Sequence, residues 1–233
     1  MIPLMVHVLK LDQHRAHGTS LVALIFTGIS GAIAYGPKGN VDVTASLLLV
    51  STAILTVRAG AHFADSLPEW KLKRSFGGFL VFVSLMLLGK TYLPRLQGME
   101  TGLAKVFALL LTGVFAGFLS GLMGIGSGSI MVSAMVLIIG FTQYAAQGSS
   151  LLAMVPVGCV GSYTNWKLGH VKTDILPGLI PGILAGTYLG GTVAHYLLEG
   201  TLRIVFAAVL IWTGARYLMV KPSTPKEATL TID

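Results

Sequence analysis

Two short polar motifs in this sequence have the residue types and the positions needed to bind an anion. They are Gly18-Thr19-Ser20 and Gly148-Ser149-Ser150, and each stands where we expect an apolar helix to start. The first turn of a helix leaves backbone N–H groups without partners, and hydroxyl side chains add rotatable donors. Two such starts facing each other across a pseudo-two-fold axis would hold a small oxyanion. The alternative is that these residues act only as ordinary N-caps.

The two predicted interruptions of helical structure lie within a charge-free run, residues 106–166. One is the glycine cluster at 121–129 and the other is the polar stretch at 143–151. Non-helical backbone at membrane depth is tolerated only where protein or a water-filled cavity covers it. The cluster superficially resembles a dinucleotide fingerprint, but Ser129 replaces the final glycine and the flanks are too long and apolar for Rossmann strands. We therefore expect the glycines to let the backbone turn and approach a ligand or a helix closely.

The composition predicts a membrane protein. Hydrophobic residues make up 54% of the 233 residues, charged residues only 11%, and the mean hydropathy is +0.79. The net charge of +7 comes from basic residues between apolar segments, which is typical of cytoplasmic loops, so nucleic acid is not expected as a partner. The predicted fold class is all-α, a polytopic transmembrane helical bundle in a lipid bilayer with interrupted or re-entrant helices.

Neither an enzyme nor a metal or cofactor site is predicted. The charge-free centre offers hydroxyls, amides and the single cysteine, Cys159, but no acid or base for catalysis. His14 and His17 could share a helix face, but they lie beside charged residues in an interfacial segment. A solvated or anion-attracting edge is therefore favoured over a metal site.

An internal repeat emerges when the sequence is shifted by 130 residues. About 18 of roughly 70 positions then match, including glycines and polar residues that hydrophobic bias alone would not align. The predicted organisation is a first repeat at 1–93, a linker at 94–101, a second repeat at 102–220 and a disordered tail at 221–233. The first repeat lacks a counterpart of residues 102–130, so we expect a truncated or naturally short form.

The helices expected from apolar runs are 20–35, 43–63, 75–92, 102–122, 130–141, 149–166, 175–198 and 202–220. Two glycine stripes with four-residue spacing, at 113–121 and 178–190, predict close helix packing. If residues 102–141 form a re-entrant hairpin, the second repeat is inverted and most basic residues face one side. That arrangement places the C-terminus in the cytoplasm.

Several of these segments together resemble the TauE/SafE sulfite exporter family. The segments are 117–128, 147–151 and 167–171 in the second half, and 16–21 with 38–41 in the first. The resemblance covers nearly the whole chain. It departs from the family at Ser127, where glycine is more usual, and in lacking a first copy of the glycine cluster.

The resemblance implies a transporter of the bacterial inner membrane that moves sulfite or other small sulfur-containing or organic anions. The implied anion-handling positions are Gln13, Gly18, Thr19, Ser20, Gly124, Gly126, Gly128, Gln147, Gly148, Ser149 and Ser150. Together with the two helix starts, the resemblance predicts a secondary transporter that exports sulfite or organosulfonates. Assembly into a homo-oligomer is compatible with this prediction. Two alternatives stay open: an uncoupled anion channel, and a membrane subunit that needs a partner and transports nothing alone.

Overall fold

The computed structural model of the protein describes residues 13–64, 69–89, 102–123 and 127–219. Within these ranges the chain is helical and has no β-strand. The α-helices in these ranges are α1 Gln13–Tyr35, α2 Val43–Ala64, α3 Glu69–Leu88, α4 Gly102–Met123, α5 Gly128–Ala134, α6 Gln143–Lys167, α7 Leu176–Ala194 and α8 Glu199–Leu218. A π-helical turn, Met135–Ile139, continues α5. The expectation of an all-helical chain is confirmed.

Five segments of the described chain are long and apolar enough to cross a membrane: Gly18–Lys38, Val43–Phe63, Gly102–Leu122, Thr173–Ala194 and Glu199–Leu218. Gly77–Leu88 and Gly128–Ile139 are apolar but shorter. The outward faces of these helices carry large apolar side chains, such as Phe107 at 69% and Trp212 at 64% exposure. Faces of this kind are stable in lipid rather than in water.

Several helices start earlier than expected: α3 at Glu69 rather than at residue 75, α8 at Glu199 rather than at residue 202, and the two helices that carry the polar motifs. α1 begins at Gln13 rather than at residue 20, and α6 begins at Gln143 rather than at residue 149. The stretch at 143–151 is therefore helical, and the expectation of a break there is wrong. Gly140, with a φ of 82°, ends the π turn, and Thr142 Oγ1 accepts a hydrogen bond from the backbone N–H of Ala145 at 3.2 Å. This N-cap starts α6 about one and two-thirds turns earlier than its apolar run suggests.

Helices α1 and α6 form the central pair and run antiparallel. Gly18 near the start of α1 lies beside Asn165 near the end of α6, and Gly28 lies beside Val155. Helices α3 and α8 form a second antiparallel pair, in which the Ser84 hydroxyl donates to the carbonyl oxygen of Ala207 at 2.7 Å. These pairs join the two halves of the chain.

Helices α2 and α4 run parallel along the first glycine stripe. Gly113 lies against the backbone of Leu49 and Gly121 against that of Val57, so a Cβ at either glycine would overlap a carbonyl oxygen of α2. Close packing of this stripe is confirmed. Small residues permit such an approach, which gains dispersion contacts in lipid.

The second glycine stripe, on α7, does not pack as expected. A Cβ added at Gly178, Gly182, Gly186 or Gly190 would meet no atom of the described residues within 4 Å. The prediction of a helix contact along this face is therefore wrong for the described part of the chain. Gly191, one position along, is the α7 glycine that contacts α1, at Ala34 and Tyr35.

Candidate functional site

The glycines of the two polar motifs are places where a loop packs onto a helix. Gly18 of α1 lies against the carbonyl oxygen of His170, and Gly148 of α6 lies against that of Asn40. A Cβ at either position would overlap the loop backbone. Each glycine is thus explained by a close backbone approach within the protein.

The hydroxyls beside these glycines form two matching bonds between helix and loop. Thr19 Oγ1 accepts a hydrogen bond from the backbone N–H of Lys172 at 3.0 Å, and Ser149 Oγ accepts one from that of Asp42 at 2.8 Å. Each bond joins a helix of one half of the chain to a loop of the other half. Both positions and both partners are related by the 130-residue shift. We call these bonds the Thr19 latch and the Ser149 latch.

The latches lie at opposite ends of the α1–α6 pair. Gly18 is beside Asn165, which stands about 16 residues beyond Ser149 on α6, or roughly 24 Å at 1.5 Å per residue. The sequence led us to expect that the two motifs face each other across one small central pocket. In the structure they do not. The antiparallel packing of α1 on α6 separates them.

The two motifs are also not at the starts of their helices, so the prediction that first-turn N–H groups bind an anion there is wrong. Because α1 begins at Gln13 and α6 at Gln143, the motifs lie more than one turn inside their helices. Backbone N–H groups at that depth donate to carbonyl oxygens four residues earlier. First-turn donors are therefore not what Gly18–Ser20 and Gly148–Ser150 offer.

The remaining expected site residues of the described chain are buried or bonded within the helix bundle. Ser150 Oγ donates to the carbonyl oxygen of Gln147 at 2.8 Å, and Gln147 Oε1 accepts from the Tyr35 hydroxyl. Ser20 is 3% exposed. Gly128 starts α5 and is partly buried.

Part of the expected site lies outside what the structure describes. Gly124 and Gly126 fall between the described ranges, and for Gln13, His14 and His17 only the backbone is described. In the described ranges, no three His, Cys, Asp or Glu side chains gather as a metal-binding group.

Asp42 is a structural residue that sequence reasoning missed. Its Oδ1 accepts the backbone N–H of Ala45 at 2.9 Å, which caps α2. Its Oδ2 lies 3.6 Å from Lys105 Nζ of α4, and Lys105 Nζ stands 4.9 Å above the Phe141 ring. With the Ser149 latch, Asp42 ties α2, α4 and α6 together at one end. The signal available in the sequence was an Asp directly before an apolar run.

A polar cluster occupies the same end of the bundle. Asn40 Nδ2 is 3.1 Å from His195 Nε2, and His195 Nδ1 is 2.7 Å from the carbonyl oxygen of Gly191. The His195 ring packs between those of Tyr35 and Tyr144, at centroid distances of 4.5 Å and 5.5 Å. These side chains come from α1, α6, α7 and a loop, so no local spacing predicted the cluster. It provides hydrogen-bonding groups without a fixed charge.

Comparison with known proteins places the chain among transporters. The family model "Sulfite exporter TauE/SafE" matches residues 1–217. The probable membrane transporter protein YunE of Bacillus subtilis is 28% identical, over 87% of this chain and 80% of the relative. A probable membrane transporter protein of Xylella fastidiosa is 27% identical, over 90% of this chain and 84% of the relative. No solved structure matches the chain.

Proposed function

Because the chain belongs to the TauE/SafE sulfite exporter family, we propose that it is a secondary transporter that exports small anions, sulfite or organosulfonates, across the bacterial inner membrane. Its family and its named relatives are membrane transporters rather than enzymes. A multi-pass membrane protein of this family contacts the lipid bilayer and a small substrate. The proposal also covers the internal repeat, the orientation in the membrane, the residues of the transport path and the substrate.

The proposed architecture is two inverted copies of one unit. Its support is the set of contacts that recur after a shift of 130 residues: Thr19 with Lys172 and Ser149 with Asp42. Equivalent helices that pack antiparallel, as α1 and α6 do, are related by an axis perpendicular to them. In a membrane that axis lies in the bilayer plane, which is the arrangement of inverted-repeat transporters.

The proposed re-entrant element is α4, the glycine break and α5. Lys105 near the start of α4 stands over Phe141 after α5, so both ends of the element are on one side. Gly128 at the start of α5 lies against Met154, about 11 residues or roughly 17 Å along α6. The return arm therefore starts near mid-depth, and with its π turn it is about half as long as α4, which fits a re-entrant hairpin.

The observation that carries the proposed mechanism is the pair of latches at opposite ends of one antiparallel helix pair. Opening a path to one side would break the Thr19 latch, and opening to the other would break the Ser149 latch. Because each latch joins the two halves of the chain, rocking one half against the other would break one latch while the other stays closed. This is alternating access around the α1–α6 pair.

Neutral donors suit a small, doubly charged or singly charged oxyanion that must be released again. The motifs, Gln147 and the cluster around His195 carry hydroxyl and amide groups that bond within the protein in this structure and would exchange those bonds for bonds to the anion. The run at 106–166 contains no charged side chain that would hold an anion permanently. We assign Gln13, Gly18, Thr19, Ser20, Gly124, Gly126, Gly128, Gln147, Gly148, Ser149 and Ser150 to the walls and gates of this path.

Uptake of radiolabelled sulfite into everted membrane vesicles tests the proposal. Vesicles that contain the protein should accumulate sulfite, and the Thr19→Val and Ser149→Ala variants should each change the rate at least several-fold. Rates that are unchanged in both variants would contradict the latch mechanism. Movement of anion only down its gradient would indicate the uncoupled channel, and uptake that requires a second protein would indicate the partner-dependent subunit.

A further inference from the structure

Gln143 is a buried amide without a hydrogen-bond partner. The residue is 0% exposed, and neither its side-chain Oε1 nor its Nε2 bonds to any atom of the residues that the structure describes. Its neighbours Ile139 and Ala146 belong to the buried apolar core. A buried polar group that makes no hydrogen bond costs about 1–3 kcal/mol, so an orphaned amide in an apolar core needs a reason.

The main chain of the same residue holds a carboxylate. Gln143 is the first residue of α6, and its backbone N–H donates to Glu199 Oε1 at 3.0 Å. A carboxylate at a helix N-terminus is stabilised by the dipole and by free N–H groups. Glu199 is exposed at the start of α8, so it can leave this position for water. The Glu199 carboxylate that now accepts from this N–H is itself an oxyanion, so a small oxyanion could take its place.

Gln147, one turn along α6, provides the contrast. Its Oε1 accepts the Tyr35 hydroxyl, so this amide has a structural bond in the protein. The two glutamines thus differ both in burial, since Gln147 is only partly buried, and in the presence of a protein partner. Ser127 and Ser162 also have buried hydroxyl groups without a partner among the described residues, but Gln143 is the one whose backbone N–H already holds a carboxylate.

We propose that Gln143 and the N-terminus of α6 form an oxyanion subsite, in which Glu199 is a resident carboxylate that a sulfite or sulfonate ion displaces. The proposal rests on the transport function proposed above and adds a residue to its path. The incoming oxyanion would accept from the Gln143 backbone N–H and from Nε2. The 130-residue shift pairs Gln143 with Gln13, which the sequence argument did select, so the signal was present in the sequence.

The stability of Gln143→Leu without ligand is the first test. Leucine fills a similar volume and removes the orphaned donor and acceptor, so the variant should melt at the same temperature as the wild type or higher. The matched variant Gln147→Leu loses the Tyr35 bond and should melt lower. A Gln143→Leu protein that melts as low as Gln147→Leu would show that the amide has a structural role, and would overturn the proposal.

Binding to the purified protein in detergent is the second test, with sodium sulfite and sodium methanesulfonate as probes. Gln143→Leu should weaken binding about tenfold or more, the loss expected for a hydrogen bond to a charged group. Glu199→Gln keeps an acceptor for the N–H but removes the competing charge, so it should bind the probes more tightly. Equal affinity in wild type and both variants would overturn the subsite, as would no binding by the wild type. Uptake into vesicles then reports separately on the transport function.

Discussion

At the scale of single residues, the hydroxyl groups of this protein fall into two classes. Most donate to a carbonyl oxygen of their own helix, as Ser150 and Thr164 do, and these bonds hide a polar group within an apolar helix. A few also act across elements, and Thr19 and Ser149 accept loop N–H groups in this way, Thr19 while its own hydroxyl donates to the carbonyl oxygen of Arg15. Only the second class ties one half of the chain to the other.

The Ser149 latch should contribute measurably to stability. In Ser149→Ala the N–H of Asp42 loses its acceptor, so we expect the free energy of unfolding to fall by about 1–2 kcal/mol. Ser51→Ala is the matched control, because Ser51 is exposed on α2 and its hydroxyl donates to the carbonyl oxygen of Leu48 in its own helix. Reversible unfolding in mixed micelles measures both. Equal effects in the two variants would contradict a special role for Ser149.

Two substitutions of Asp42 measure separately how much its helix cap and its ion pair contribute to the free energy of unfolding. Asp42→Asn keeps an oxygen that caps α2 and removes the charge, and the pair with Lys105 is partly exposed at 33% and 28%. We therefore expect a loss of less than about 1 kcal/mol. Asp42→Ala removes the cap as well and should cost about 0.5–2 kcal/mol more. If Asn and Ala destabilise equally in the same unfolding assay, the cap contributes nothing.

At the scale of elements, the helices were largely predictable and their starts were not. Apolar runs located α2 and α4 almost to the residue, because lipid requires a minimum apolar length. The starts of α1 and α6 lie in polar sequence, where caps and tertiary contacts decide the boundary. Thr142, rather than the Gly-Ser-Ser motif, caps α6. Because the helix-start site depended on those boundaries, the expected positions of its donors were wrong.

The two glycine stripes should respond differently to a methyl group. Gly117→Ala on α4 would place a Cβ against the carbonyl oxygen of Ala53, and we expect a loss of about 1–3 kcal/mol. Gly186→Ala on α7 meets no described atom within 4 Å and should leave stability unchanged or raise it slightly. Thermal melting in detergent compares the two. An equal loss at Gly186 would show that another helix covers the α7 stripe in the membrane.

At the scale of the whole molecule, the site is a property of how the halves meet. The 130-residue shift was visible in the sequence and an inverted second repeat was expected, but the motifs were expected to face each other, whereas the packing of α1 on α6 sends them to opposite ends. The cluster around His195 draws on α1, α6, α7 and a loop, and no spacing along the chain links them. Packing between distant parts of the chain therefore determines which residues come together, and local motifs do not predict it.

The orientation in the membrane gives the last prediction. Lys38 follows α1 and Lys167 ends α6, and both are exposed. Because α1 and α6 are antiparallel, these two positions must lie on opposite sides of the bilayer. Basic residues are retained on the cytoplasmic side, and Lys167, Lys172 and Arg216 lie on the same side in the proposed inverted arrangement, so we predict that this side faces the cytoplasm.

Single cysteines test this orientation directly. In a Cys159→Ser background, Lys38→Cys should react with a membrane-impermeant maleimide on intact cells, and Lys167→Cys only after permeabilisation. Labelling of both positions from the same side would contradict inverted repeats, since parallel repeats place the ends of α1 and α6 together. Labelling of Lys167→Cys alone on intact cells would keep the inverted architecture but reverse its orientation, and with it the side to which the Ser149 latch opens.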